Sequence, residues 1–461
     1  MASDYRIINP ATGLTVYLVG SSAGAATAGG LPYAPATTPF ALRTEWTPTA
    51  APAQLEERGG PPLASGSELA YLSYATIDET IPLVWQGASG ESAARAVQWL
   101  RDQFAGLYGQ PALLYAKPNN AITPVYYEIW AVSVQEKPFL GLNTSPGEGG
   151  NRASIDLQIR RRPFGGIAAI ETLVSAATFT NQGTGSPANT AALEGTLTVK
   201  GDLRFEGSPL NIRLDKPVAQ SPVTVYLAAI ASRTYQAIAS AKTTSTSTTF
   251  TASTAIDISA IRTRPALKLR VVGRLTTLTA PTNAQVRVTV QTASGNTLWV
   301  GPWVQLGSNT TAQLVDFFGT SLDAVRVPLA NTTSVILVGE IRSLSGSVTA
   351  TLAYLEAILY YDWCVVTCSA ALSASQRLWV LGAQNLGGGG YVPLLQPAAL
   401  ITDGSDAPVR TATVAGTPPR AYAGASLWVA WVDAGGAHTN TDTAAVTAQH
   451  APQYRSLGSV A

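Results

Sequence analysis

The sequence predicts a mainly β protein that carries one α-helix in its N-terminal third, and three observations predict it. Apolar and polar residues alternate along many short runs, the period-2 signature of half-buried strands. Leu267, Leu269 and Val271 oppose Lys268 and Arg270, and Val286, Val288 and Val290 oppose Arg287 and Thr289. Residues 92–108 break that rule: Ala93, Ala96, Val97, Leu100, Phe104 and Leu107 recur at spacings of three and four, the stripe of an amphipathic helix. The third observation is length. At 461 residues the chain exceeds one ordinary domain, so two or three are expected.

Taken in order, Tyr5-Arg6-Ile7-Ile8 and Leu14-Thr15-Val16-Tyr17-Leu18-Val19 read as a hairpin around Asn9-Pro10. Residues 20–67 are too apolar for a free linker and too rich in Pro for continuous sheet, so they read as an extended arm docked on this chain or on a neighbour. Residues 71–85 read as strand. The helix follows, with Ser89 as N-cap, Glu91 in the first turn and Gly109 as its stop. Leu113-Leu114-Tyr115-Ala116 and residues 125–134 form the next hairpin, turning at Pro118-Asn119-Asn120. Its second strand is apolar on both faces and belongs in the middle of a sheet. Ile155, Leu157 and Ile159 then alternate with Asp156, Gln158 and Arg160. Arg162-Pro163-Phe164-Gly165-Gly166 breaks the pattern and marks a domain boundary.

Strands continue to about residue 241, among them Leu197 and Val199, Leu203 and Phe205, and Val223 to Leu227. A Thr/Ser run over 243–254 marks a second seam. Residues 245–365 carry the clearest sandwich pattern, with strands expected near 299–306, 314–318, 325–329 and 335–341. Leu352, Leu355 and Leu359 would also fit a helix, but their neighbours favour strand over 351–363. Beyond residue 373, Leu378-Trp379-Val380-Leu381 and Leu427-Trp428-Val429-Ala430-Trp431-Val432 are strands. The groups 166–241 and 370–461 are each too small for a sandwich. Together they make one, with 245–365 inserted as a jelly-roll sandwich.

Composition narrows the function. Charged residues make up 12%, about half the usual ~25%. The surface is therefore neutral and hydroxyl-rich, with little electrostatic solubility, which suits a surface held in an assembly. A net charge of +1 without a basic stripe argues against nucleic acid. Arg160-Arg161-Arg162 is the one dense basic run and is too short for a footprint. No apolar run reaches the roughly eighteen residues of a membrane span, and residues 1–6 do not resemble a signal peptide.

Catalysis is not expected. Gly20-Ser21-Ser22-Ala23-Gly24 fits G-x-S-x-G, but no helix follows to hold a strained nucleophile, and only His438 and His450 could serve as base. Glu56-Glu57 and Asp78-Glu79 are adjacent, so on strands they face opposite ways. Neither pair makes a two-carboxylate site. Asp403-Gly404-Ser405-Asp406 reads as a turn rather than a calcium loop, and no cofactor or metal is expected. Cys364 and Cys368 would lie roughly 13 Å apart on a strand, beyond disulfide reach, and are expected as buried thiols. Among aromatic residues, Trp299 and Trp303 bracket a Gly-Pro turn and Trp428 and Trp431 lie close together. These four are the candidate saccharide contacts, set against the usual burial of a strand tryptophan.

With the helix placed, residues 1–165 resemble the split β-barrel of phage tail-tube and distal tail proteins: strands, a helix, a hairpin, then a strand ending in Arg-Arg-Arg-Pro-Phe. Val199-Lys200-Gly201-Asp202-Leu203 resembles the glycine-aspartate strand of siphophage distal tail and minor tail proteins. Leu355-Glu356-Ala357-Ile358-Leu359-Tyr360-Tyr361-Asp362 resembles the strand closing their lectin-like module. Ala451-Pro452-Gln453-Tyr454-Arg455-Ser456-Leu457 resembles their C-terminal Tyr-Arg-Pro-Arg-Tyr-Leu segment, with Pro and Arg displaced.

The resemblance implies an N-terminal split β-barrel flanked by one helix, followed by two carbohydrate-binding-like β-sandwiches. It implies a virion protein, made in the host cytoplasm, whose barrels close a ring at the tail tip. A hexamer is the common state and a trimer the alternative, with the tail tube protein and a tail hub or tape-measure protein as neighbours. The arm (Pro32, Pro39) and Arg160, Arg161 and Arg162 become candidate assembly contacts. The rival reading is an adhesin or tail-fibre protein that binds a host surface glycan through its sandwiches. One geometric expectation is sharp: Val97, Leu100 and Phe104 should pack on the barrel.

Overall fold

The computed structural model describes residues 3–8, 15–19, 40–50, 53–59, 67–86, 90–105, 112–118, 121, 123–137, 152–167, 171–174, 180–181, 193–197, 207–215, 222–251, 254–264, 266–318, 332–373, 375–385, 391–433 and 445–454. It is mainly β, as the alternation predicts. The first body is an antiparallel sheet whose strands run, edge to edge, Thr15–Val19, Asp4–Ile8, Ala112–Lys117, Val125–Lys137, Arg152–Arg161, Ile77–Gln86 and Ala41–Leu42. Both expected hairpins are present, and Val125–Lys137 is central as its two apolar faces require.

The helix Gly90–Ala105 lies on this sheet. Val97, Leu100 and Phe104 enter one core with Ile81, Leu83, Leu114, Tyr127, Ile155 and Leu157, each contributing roughly 1.5–3 kcal/mol through burial. Trp99 is buried there too, although the three-and-four spacing omitted it. Ser89, Leu107 and Gly109 lie outside the described residues.

Part of the arm docks on this same sheet. Phe40 is buried in its core with Leu42 and Trp46 packed beside it. The Arg43 amide donates to Pro82 O at 2.9 Å, and its guanidinium reaches Asp156 at 2.8 Å. Residues 53–59 correct the arm reading: Ala53–Gly59 is a strand paired with Ser67–Tyr74.

Tyr5 closes this region, its hydroxyl donating to Trp46 O at 2.6 Å and its ring meeting Trp46 edge-on. Burial, with the nearby Glu45 charge, pushes the Tyr5 hydroxyl up to about 12 from its ordinary 10.0. Above pH 10 the unfolded chain therefore loses this proton while the folded chain keeps it, so folding weakens between about pH 10 and 12. Tyr5→Phe should lose the hydrogen bond yet show a shallower stability decline over that window, read from urea midpoints. An unchanged slope would refute the assignment.

Among the described residues, most of the later strands form a fourteen-stranded sheet and a separate six-stranded one. In the larger sheet, Ser208–Asp215 pairs with Arg377–Asn385 and Ala445–His450, and Pro222–Thr244 pairs with Ser426–Asp433. The sheet curls so that Leu210, Ile212, Val380 and Ile401 meet Leu227, Val366, Leu427 and Val429 in a single core. Cys364 and Cys368 are buried free thiols in it, and burial pushes the Cys364 thiol well above its ordinary range.

Residues 351–363 are strand, within Val348–Thr367. That strand pairs along its length with Pro222–Thr244, which runs straight into the predicted seam at 243–254. Over its first half, Leu352, Leu355 and Leu359 face Val286, Val288, Val290, Val335 and Leu337 of the six-stranded sheet across a second core. Strands expected at Val199, at Leu203 and at 325–329 lie outside the described residues.

The Arg-Arg-Pro-Phe-Gly break does not leave the first sheet. Past Pro163, Gly165–Gly166 stays on the edge of Val125–Lys137, with Gly166 opposite Tyr126, and the late strand Gln453–Tyr454 pairs with it. Gly165 must be glycine, because a Cβ there would stand 2.4 Å from Val125 Cγ1 and 2.8 Å from the Tyr127 ring.

Candidate functional site

The three adjacent arginines on the strand Arg152–Arg161 and just beyond it meet three different fates. Arg161 shares the inward parity of Ile155, Leu157 and Ile159 and is fully buried. Its Nε donates to Glu79 Oε2 at 3.0 Å and its Nη2 to Glu79 Oε1 at 2.8 Å. The remaining N–H groups reach Thr49 O and Arg162 O. The cation sits 4.4 Å from the Tyr127 ring centroid. Glu79 also accepts the Thr49 amide at 2.6 Å, so this pair pins the arm to the sheet. Burial removes Arg161 from the assembly contacts.

Arg162 pairs with Glu128 at 2.6 Å and stands over Trp130, whose Nε1 donates to the same carboxylate. Arg160 points outward, bidentate on Asp78 at 2.7 and 2.8 Å. Its hydrogen bonds and charge hold the Asp78 carboxyl below the usual range. Asp78, Thr80, Ser133, Gln158 and Arg160 line an open cleft of about 480 Å³ on this face. Of the candidate assembly contacts, Arg160 is exposed and Arg162 partly so; Pro32 and Pro39 lie outside the described residues.

The tryptophan candidates also separate. Trp299 turns inward and stacks on Phe318, centroids 4.4 Å apart. The strand runs on in the same direction past Gly301, whose amide donates to Val288 O at 2.8 Å, and Pro302, but Val300 faces Thr289 and Val304 faces Val286, one extra residue that puts Trp303 on the opposite face. There Trp303 is partly exposed, with the Arg287 and Arg342 guanidinium carbons each 4.3 Å from its centroid. Arg287 is tied to Glu340 at 2.6 Å and Arg342 to Gln285 Oε1 at 2.9 Å. Val300, on the strand before it, is 47% exposed.

Trp428 is fully buried, stacked on Trp363 at 5.1 Å, which corrects its place among the saccharide contacts. Trp431 pairs through its backbone opposite Val225, and its side chain lies outside what the structure describes. Trp379, not among the four candidates, is partly exposed, donates to Asp406 at 3.1 Å and lies beneath Arg213. The alternation Arg213/Asp215 and Arg377/Trp379 was the available signal.

For the enzymatic alternatives, Gly20 to Gly24 and His438 lie outside the described residues, and His450 is fully buried. Asp403 accepts the amides of Ser405 and Ala407, a turn rather than an ion cradle. Among the described residues no three metal-ligating side chains cluster, and no helix is long and apolar enough to cross a membrane.

No family model and no curated protein matches the chain. Among solved structures it is similar to the Dit protein of phage SPP1, described as a paradigm of the hub adsorption apparatus in phages infecting Gram-positive hosts. The identity is 9% over 68% of this chain and 93% of that one, with a TM-score of 0.27. It is also similar to a chain of the phage p2 baseplate in its activated conformation, at 11% identity over 78% of this chain and 98% of that one, TM-score 0.25. A chain of infectious bursal disease virus aligns at 12% identity over 98% of this chain and 76% of that one, TM-score 0.16.

Proposed function

We propose that this chain is a non-catalytic structural protein of a phage tail, whose N-terminal barrel forms a ring at the distal tail joining the tube to the tip apparatus. The observation that carries the reading is the helix Gly90–Ala105 seated by Val97, Leu100 and Phe104 on the antiparallel sheet of the N-terminal region. Among the described residues that sheet is open at both ends: Thr15–Val19 and Ala41–Leu42 each pair on one side only. Open edges invite strand pairing with another chain, and copies arranged about a symmetry axis can satisfy both edges at once. The low charge of the chain fits such packing. In this reading the barrel (1–165) makes the ring, six copies or three. The sandwiches (166–241 with 370–461, and the inserted 245–365) project outward, and the tail tube and hub proteins stack on either side within the virion.

Electron micrographs of the purified protein should show closed rings with a central lumen. Monomers at every concentration tried would overturn the ring.

A second reading, saccharide recognition on the host surface, is favoured by one observation, the partly exposed Trp303 held by Arg287 and Arg342. Glycan-array binding lost in Trp303→Ala would support it, with Trp299→Ala, whose ring turns to the other face and stacks on Phe318, as the control.

A further inference from the structure

The first sheet and the fourteen-stranded sheet are joined by two lengths of chain rather than one. The outgoing length leaves Gly165–Gly166 in the first sheet and becomes Glu171–Val174 in the second. The returning length leaves Ala445–His450 in the second sheet and becomes Gln453–Tyr454 in the first. On each side of the crossing they are paired antiparallel: Gly165 faces Tyr454 and Gly166 faces Gln453 in the first sheet, and Glu171 faces His450 and Thr172 faces Gln449 in the second. The crossing is also fastened from the flank. The Ser208 hydroxyl donates to Ala451 O at 3.1 Å, and the Ala451 amide donates to Pro209 O at 3.3 Å. His450, Gln453 and Tyr454 are buried, and Gly165 lets the ribbon lie close against Val125 and Tyr127.

A single extended chain bends at any few residues whose φ and ψ are free. Two lengths of chain fastened to each other on both sides of a crossing cannot bend that way without one of the fastened ends parting. We propose that Gln453–Tyr454 is a clasp: by pairing with Gly165–Gly166 it gives the crossing a second fastened length of chain in place of a single-chain hinge, so that the two bodies move as one. The next joint has the same construction, because Pro222–Thr244 and Val348–Thr367 run paired from one core into the next. Displacement of the outer bodies is thereby passed to the first sheet instead of being absorbed at a tether. This holds whatever the protein assembles with.

Spin labels on Gln98→Cys, exposed on the helix, and Thr413→Cys, exposed on the large sheet, report the distance between the bodies, since both native thiols are buried. The full chain should give a narrow distribution. Ending the chain at His450 should broaden it at least about twofold while far-ultraviolet circular dichroism stays that of a folded β protein. An unchanged width would overturn the clasp. If truncation unfolds the chain, Gln453→Pro, which puts a residue disfavoured in paired strands opposite Gly166, decides by the same measurement. Hydrogen exchange on the unsubstituted protein supplies an independent arm. The amides of 165–166 and 453–454 should be protected roughly a hundredfold or more, and exchange at unprotected rates would overturn the proposal.

Discussion

Replacing Arg161 by alanine is expected to destabilise the protein by about 3–5 kcal/mol, whereas the same change at Arg160 should cost under about 1 kcal/mol. The difference lies in solvent. The Arg160–Asp78 pair is bidentate but more than half exposed on both sides, so water and salt compete with it. Arg161 and Glu79 are buried at 0% and 4% side-chain exposure. Removing the guanidinium strands a carboxylate in the core, with the Thr49 amide still bonded to it. It also releases the carbonyl of Thr49 and the Tyr127 ring, and with them the hold on the arm.

Glu79→Ala should cost a similar amount, and Arg161→Met combined with Glu79→Leu should recover much of the loss, because no charge is then left buried. Urea unfolding of the four proteins gives the coupling directly. Equal, small effects at Arg160 and Arg161 would show that the buried pair does not form.

Why this pair was not read from the sequence is instructive. Strand parity was visible: Ile155, Leu157 and Ile159 point inward, so Arg161 must as well. Ile81 and Leu83 likewise carry Glu79 inward. Three consecutive arginines disguised that alternation as a basic run. Local periodicity is enough for the helix and for both hairpins, because each is decided by residues near one another in the chain; over 351–363 it fits a helix as well, and the neighbouring strands decide for strand. Trp99 escaped because the spacing rule marks where a Cβ points, whereas a large indole reaches the sheet from the flank of the stripe. Pairings such as Gly165 with Tyr454 bring together residues from opposite ends of the sequence; no local pattern encodes that partner, and a Gly-rich break looks like a boundary whether or not a distant strand returns to it. The Trp299/Trp303 split was hidden for a related reason. One extra residue at Gly301-Pro302, a bulge against Ala284–Thr292, changes which face follows, so the two rings end on opposite sides of one sheet.

Trp428→Ala is the second large effect expected, about 3–5 kcal/mol, the usual cost of deleting a large buried aromatic and leaving its cavity. The strand Ser426–Asp433 lies between two cores: Leu427 and Val429 enter one, Trp428, Ala430 and Val432 the other. The indole stacks on Trp363, which in turn meets Tyr226, Tyr360 and the buried Arg270. Neighbours anchored on long paired strands cannot collapse into the vacated volume, which places the cost toward the upper part of that range. Trp303→Ala offers the contrast. That ring is partly exposed and its two arginines keep their partners in Glu340 and Gln285, so the loss should stay near the ~0.5–1 kcal/mol of an exposed cation–π contact. Thermal and urea unfolding of both variants separates a structural tryptophan from one free to meet a ligand. A Trp428→Ala protein as stable as its parent would return that residue to the surface, and a Trp303→Ala protein that unfolds would remove Trp303 from it.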